Sequence, residues 1–246
     1  MTASYEQHAL NNNHKNHSSM ETDFIYWPHP TPVGIRVEEV SGMETKSGRL
    51  WIDMAKQIYA ENGRDAYREI GHFSNGAPFL FGSTSRISIS HADHLLVVAS
   101  LPRTPEADLS VFSPRTAMGI DAEHLDREQV VKVRSKFLSD DEMTLVDEKN
   151  LEGNIVAWTA KEALYKAAMT EGLDLRNDIT LLSLPEIDRK MNIPGAPAPA
   201  IGKATVSVQT ESGKQTQEME LYSYESEGHC VTIAYSPKCA KYSRNS

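Results

Sequence analysis

The stretch that most constrains this chain is residues 154–170, NIVAWTAKEALYKAAMT, a sustained helical pattern that ends before Gly172. On both sides of it the pattern turns to strand. Upstream, SRISIS (85–90) alternates Ile87 and Ile89 with serines, HADH makes a short connection, and LLVVAS (95–100) reads as the hairpin partner. TAMGIDAE (116–123) reads as a third strand. Downstream, strands are expected near 178–184, 201–209, 217–224 and 229–235, with PGAPAPA (194–200) as a loop. Helices bracketed by runs of mostly antiparallel strands make an α+β fold, not a regular βαβ alternation.

Three further helical segments follow from pattern. Residues 48–70 carry Leu50, Trp51, Met54 and Ile58 at helical spacing, and Gly63 marks a break. Residues 126–138 place Val130, Val133 and Phe137 along one face. SDDEM reads as a helix start with a capping box, Ser139 as N-cap and Glu142 three residues on. Residues 1–22 are rich in Asn, His and Ser and read as a disordered tail whose His8, His14 and His17 are solvated. We expect one unit over 23–115 and a second over 116–246.

The formal charge of −9 over 246 residues disfavours a nucleic-acid partner, which calls for a basic footprint. Cys230 and Cys239 have no CxxC spacing and are expected to be reduced structural thiols. The longest apolar run, LLVVA at 95–99, is too short to span a bilayer, and the N-terminus has no apolar signal core, so the expectation is a cytoplasmic protein with no membrane partner.

Chemistry concentrates in a few residues. In MGIDAE, period-two alternation puts Asp121 and Glu123 on one strand face, with α-carbons about 7 Å apart, and Ile120 and Ala122 on the other. Two carboxylates so placed can converge on one Mg²⁺, which takes oxygen ligands, though a solvated strand end has the same pattern. His91 ends its strand at a turn, where it can be a hydrogen-bonded turn residue or a phosphate donor; Ser88 and Ser90 are equally ambiguous. Glu162 and Lys166 form an i,i+4 pair, which by itself is a favourable surface pair.

Together, ISISH (87–91), GIDAE (119–123) and WTAKEALYK (158–166) resemble the motif set of the 4'-phosphopantetheinyl transferase superfamily: Ser-His after a short strand, then G-[IV]-D-x-E, then W-[ST]-x-K-E-x-x-x-K. The resemblance covers about residues 75–170. The chain length is similar to that of the longer, Sfp-type form, which implies two similar α+β halves in one chain, a pseudo-dimer that works as a monomer. The resemblance further implies that Asp121, Glu123 and Glu162 hold Mg²⁺ against the pyrophosphate of coenzyme A, and that a serine of an apo acyl or peptidyl carrier protein attacks it, releasing 3',5'-ADP. It implies Glu162 as the base, Lys166 as the group that neutralises the leaving charge, Ser90 and His91 as coenzyme A contacts, and Lys161 as a second phosphate contact. Trp158 is expected to pack the helix on the sheet.

One departure stands out. NGAPFL (75–80) occupies the place of the family's G-[KR]-P element, and Ala77 replaces its basic residue. Two other readings use the same residues: a Mg²⁺-dependent phosphodiesterase or nuclease of the PD-(D/E)xK type, and a non-catalytic coenzyme A or carrier binder. The nuclease type needs its Glu and Lys two apart on a strand, not four apart on a helix. For an acidic carrier, the expected docking surface is the helix 126–138 with Arg127, Lys132, Arg134 and Lys136.

Overall fold

The computed structural model describes residues 22–25, 35–40, 70–81, 86–101, 117–190, 198–210 and 213–237. The helix expected over 48–70, the tail before Thr22, most of the 194–200 loop and Cys239 lie outside the described residues.

Two mostly antiparallel sheets carry the fold. The first comprises β1 (Thr22–Ile25), β2 (Arg36–Val40), β3 (Ile70–His72), β4 (Pro78–Leu80), β5 (Arg86–Ala92) and β6 (Leu95–Leu101), in the spatial order β1-β2-β6-β5-β4-β3. The second comprises β7 (Met118–His124), β8 (Ile179–Ser183), β9 (Ile187–Asp188), β10 (Gly202–Thr210), β11 (Gly213–Ser226) and β12 (His229–Tyr235), in the order β7-β12-β11-β10-β8, with β9 parallel to β11. The expected hairpin forms: β5 and β6 pair from Arg86↔Leu101 to Ala92↔Leu95 across the two-residue turn Asp93-His94.

Two helices pack on the second sheet: α1 (Gln129–Phe137) and α2 (Leu151–Ala168). In α1 the expected stripe is seen, with Val130 and Phe137 buried and Val133 half-buried. The second helix starts earlier than its apolar pattern, because the Asn150 side chain accepts a hydrogen bond from the Gly153 N–H at 2.9 Å and so caps residues the pattern does not mark. It ends at Met169, in the left-handed region (φ 50°).

The capping box also forms, Ser139 N–H to Glu142 Oε2 at 2.7 Å and Glu142 N–H to Ser139 Oγ at 3.3 Å. It closes only a 3₁₀ turn, Glu142–Thr144, rather than a helix, and Glu142 itself is turned into the core.

In the second sheet β7 and β12 are buried on both faces, and period two sorts their side chains. Cys230 and Ala234 of β12 join α1 and α2 in one core; Val231, Ile233 and Tyr235 join Met118, Ile120 and Ala122 of β7 and Val37, Leu95, Val97 and Ala99 of the first sheet in another. The layers are thus sheet, sheet, helices, an α+β architecture. Cys230 is a free buried thiol whose pKa burial pushes up to about 11, the inert state expected of a structural cysteine.

β7 is an edge strand of its sheet, and the serines of β5 close that edge. Ser88 Oγ accepts the Ile120 N–H at 3.0 Å, and Ser90 Oγ accepts the Ala122 N–H at 3.3 Å. Backbone donors of β7 that a ladder partner would otherwise satisfy are met by hydroxyls, which joins the two sheets at the strand that carries the acidic residues.

Candidate active site

The alternation that buries Met118, Ile120 and Ala122 between the sheets turns Gly119, Asp121 and Glu123 the other way, with Gly119 and Asp121 set against α2. Gly119 permits a close approach: a Cβ there would lie 2.1 Å from the Ala163 carbonyl oxygen and 2.6 Å from the Ala167 nitrogen. The strand therefore lies nearly in backbone contact with the helix turn that carries Glu162 and Lys166.

Asp121 is buried, and its Oδ1 accepts from Ser90 Oγ at 2.7 Å and from Lys166 Nζ at 2.7 Å. Lys166 Nζ also donates to the Ile120 carbonyl at 3.1 Å, which fixes the ammonium beside the strand. Glu123 is buried, takes the His124 N–H at 3.0 Å and pairs with Arg127. Glu162 has no hydrogen bond to a described residue. Burial first, and then the charges of Asp121 and Glu123, raise its pKa, with Lys166 opposing. Burial also raises the pKa of Glu123, against the His124 N–H and Arg127. These shifts mean that the three carboxylates share one electrostatic neighbourhood.

His91 is exposed at the end of β5, its pKa lowered by burial of part of the ring and then by Lys166, with Asp121 opposing. It lines a cleft of about 450 Å³ with Glu123, His124 and Arg127. Thus Ser90, His91, Asp121, Glu123, Glu162 and Lys166 come together between β5, β7 and α2. The Ser90 proton goes to Asp121, so this serine positions a carboxylate.

Lys161 is elsewhere. It is fully buried, and its three donors go to Glu142 Oε1 at 2.7 Å, the Leu175 carbonyl at 2.7 Å and the Ile179 carbonyl at 2.5 Å. Glu142 completes the network by accepting the Leu181 N–H at 2.6 Å. With every ammonium proton used inside the core, Lys161 is a structural lysine and not the phosphate contact expected from its motif. Trp158 packs edge-on against Phe137 of α1, ring centroids 5.0 Å apart, and against the core between the helices and the second sheet.

The residue that the sequence offers but cannot place is Arg86. It lines a pocket of about 200 Å³ together with Ala77, the position of the absent basic residue, and with Asn75, Ser88, Tyr165 and Lys166. Its Nη2 donates to the Lys166 carbonyl at 2.9 Å, but buried Nε and Nη1 have no hydrogen-bond partner among the described residues. Burial lowers its pKa to about 10, still charged at neutral pH. A cation at residue 86 was visible; that the chain folds it beside Ala77 was not.

The fit to a divalent cation can be judged from the donors. They are oxygen-only, as Mg²⁺ prefers. Asp121 spends Oδ1 on Ser90 and Lys166, leaving Oδ2 without a described partner, and Glu162 is unengaged. Burial raises the Glu162 pKa first, and the charges of Asp121 and Glu123 add to it against Lys166, so a cation beside these carboxylates would relieve part of the shift. These residues fit such an ion.

Residues 117–234 match the family model described as the 4'-phosphopantetheinyl transferase superfamily. No curated protein matches the chain.

Proposed function

From the match of residues 117–234 to the family model of the 4'-phosphopantetheinyl transferase superfamily, we propose that the chain transfers the 4'-phosphopantetheine group of coenzyme A to a serine of an apo carrier protein. The observation that carries this reading is the convergence of Asp121, Lys166 and the unengaged Glu162 beside Glu123. Bound Mg²⁺, held by Asp121, Glu123 and Glu162, would screen the pyrophosphate charge and polarise its oxygens.

The chain's own residues do the rest. Glu162, a half-buried carboxylate with no hydrogen bond to a described residue, takes the proton of the carrier serine. The serine oxygen forms its bond to the β-phosphorus as the bond from that phosphorus to the bridging oxygen breaks. The electron pair leaves on 3',5'-ADP, where Lys166 and Arg86 supply positive charge. Ser90 holds Asp121 in place, and His91 faces the phosphates from the other side of the strand pair. Arg86 takes the part of the basic residue missing at Ala77.

Two sheets in one chain are consistent with two halves of a pseudo-dimer acting as a monomer, and we propose a cytoplasmic location; no described helix is long and apolar enough to cross a membrane. For docking of an acidic carrier, Arg127 and Arg134 are engaged within the chain, with Glu123 and with the Met143 and Val146 carbonyls, whereas Lys132 and Lys136 are exposed. These two lysines are the proposed contact. A nuclease of the PD-(D/E)xK type is disfavoured because Glu162 and Lys166 both stand on α2.

The test is intact-mass analysis of an apo carrier protein incubated with coenzyme A, Mg²⁺ and either the parent or Asp121→Ala. The reading expects a gain of one phosphopantetheine with the parent, lost with the variant. An unmodified carrier in both, across fatty-acid, polyketide and peptide-synthetase carriers, would remove it.

A further inference from the structure

Outside the acidic site, three side chains brought together from distant parts of the chain form an independent cluster. Asp93 stands in the β5–β6 turn, His124 ends β7 and His229 begins β12. One ligand atom from each lies within 4.8 Å of the other two. The topology accounts for the meeting: His124 and His229 are cross-strand partners, and β5 runs beside β7, carrying its turn to the same end.

The chemistry of each group is unusually specific. His229 is fully buried, and its Nδ1 lies 2.8 Å from the Glu227 carbonyl, which can only accept. Nδ1 therefore carries the proton, and Nε2 presents a bare lone pair. That Nε2 is buried with no hydrogen-bond partner among the described residues. A buried polar atom without a partner is costly unless something else occupies its lone pair. His124 Nδ1 lies against Asp126, beside its carboxylate and 3.3 Å from its backbone N–H, and Nε2 points toward the β11–β12 turn, where a Cβ on Gly228 would lie 3.7 Å away. A histidine anchored through one nitrogen, with the other engaged by no described residue, is the arrangement that supports metal ligation. Asp93 takes φ 46°, a left-handed conformation aspartate tolerates, on an exposed turn that can adjust to bring its carboxylate in.

We propose that Asp93, His124 and His229 bind a borderline divalent ion, Zn²⁺, at a site separate from the acidic Mg²⁺ cluster. Two imidazoles and one carboxylate suit Zn²⁺ and not Mg²⁺, which takes oxygen ligands and dehydrates reluctantly. Small side-chain movements from the present separations reach the usual zinc–nitrogen and zinc–oxygen distances of about 2.0–2.2 Å. The fourth position opens on the cleft that Asp93 and His124 share with His91 and Glu123. The ion ties the first sheet to the second next to two residues of the acidic site, and so fixes the His91 end of β5 relative to β7.

Zn²⁺ binding to the metal-stripped full-length protein, measured by competition with a chromogenic chelator, tests this. The expected result is one equivalent bound, not displaced by millimolar Mg²⁺, with affinity lowered at least tenfold in both Asp93→Asn and His124→Gln. Both changes are at residues less buried than His229, which stays in place, so both variants are expected to fold, with circular dichroism as the check. Zn²⁺ should raise the melting temperature of the parent by several degrees and of neither variant. Co²⁺ should give visible d–d bands that the variants lose. Zn²⁺ bound equally by parent and variants would assign it to other histidines, such as those of the N-terminal segment, and would overturn the proposal, as would no binding at all.

Discussion

Gly119→Ala isolates the contact on which the acidic site depends. Gly119 does not lie at positive φ, so alanine is not strained there by backbone conformation. At such a position the substitution alone would stabilise by about 0.4–1 kcal/mol through the unfolded chain. The added methyl, however, meets helix backbone 2.1 Å away at the Ala163 oxygen and 2.6 Å away at the Ala167 nitrogen, plus Lys166 Cβ at 3.1 Å. Opening the closest contact from 2.1 Å to the 3.4 Å edge of ordinary van der Waals contact separates β7 from α2 by about 1.3 Å. No rotamer change relieves a clash with backbone, and α2 is braced behind by Phe137 on Trp158 and by the buried Lys161–Glu142 pair. The cost belongs at the upper end of overpacking, about 3 kcal/mol. For a chain of this size that lowers the melting temperature by roughly 6–12 °C. Because the displacement runs between Asp121 and Lys166, turnover of the folded fraction should fall about a hundredfold, as for other ångström-scale misplacements. Urea denaturation and a carrier-transfer assay on the same preparations read both effects. A variant within about 0.5 kcal/mol of the parent and equally active would refute the close-contact argument.

Glu162→Gln should cut transfer at least a hundredfold yet stabilise the fold at neutral pH in EDTA. A carboxylate whose folded pKa is raised contributes fully to stability below its unfolded value of 4.5 and loses that contribution as pH rises through the folded pKa. The melting-temperature gap between variant and parent should therefore open above pH 4.5 and close below it; a pH-independent gap would contradict the assignment. Lys161→Met leaves the Glu142 charge buried and should cost about 3–5 kcal/mol in denaturation, while the folded fraction keeps near-parental turnover. A lower affinity for coenzyme A instead would return Lys161 to the ligand site. Arg86→Met should raise the coenzyme A KM about tenfold or more, the value of a charge-assisted hydrogen bond, and adding Ala77→Lys should restore part of it. An unchanged KM would remove Arg86 from the phosphate path. Lys132→Glu with Lys136→Glu should raise carrier KM at low salt only; a parental KM at low salt would exclude α1 as the docking surface.

What the sequence made legible is what has a local cause. The α2 pattern, the alternation in ISIS and GIDAE and the Ser139–Glu142 box all correspond to structure, and the boundary error at α2 traces to one side chain, Asn150, acting beyond the apolar stripe. What was hidden depends on long-range pairing. Lys161 and Glu162 are adjacent in sequence but about 100° apart around the helix, and only the packed fold shows that Lys161 faces Glu142 while Glu162 faces Asp121. The serines of β5 could not be read because their partners, the edge donors of β7, come from another sheet. Arg86 beside Ala77, and His229 beside Asp93, are products of the same topology.

The most direct measurement is the release of 3',5'-ADP from coenzyme A and Mg²⁺, followed with and without an apo carrier. A transferase built on Glu162 and Lys166 should release one 3',5'-ADP for each carrier serine modified and essentially none without carrier. Equal release with and without carrier would show hydrolysis by a phosphodiesterase, and no release with any carrier would leave only a binder; either result contradicts transfer.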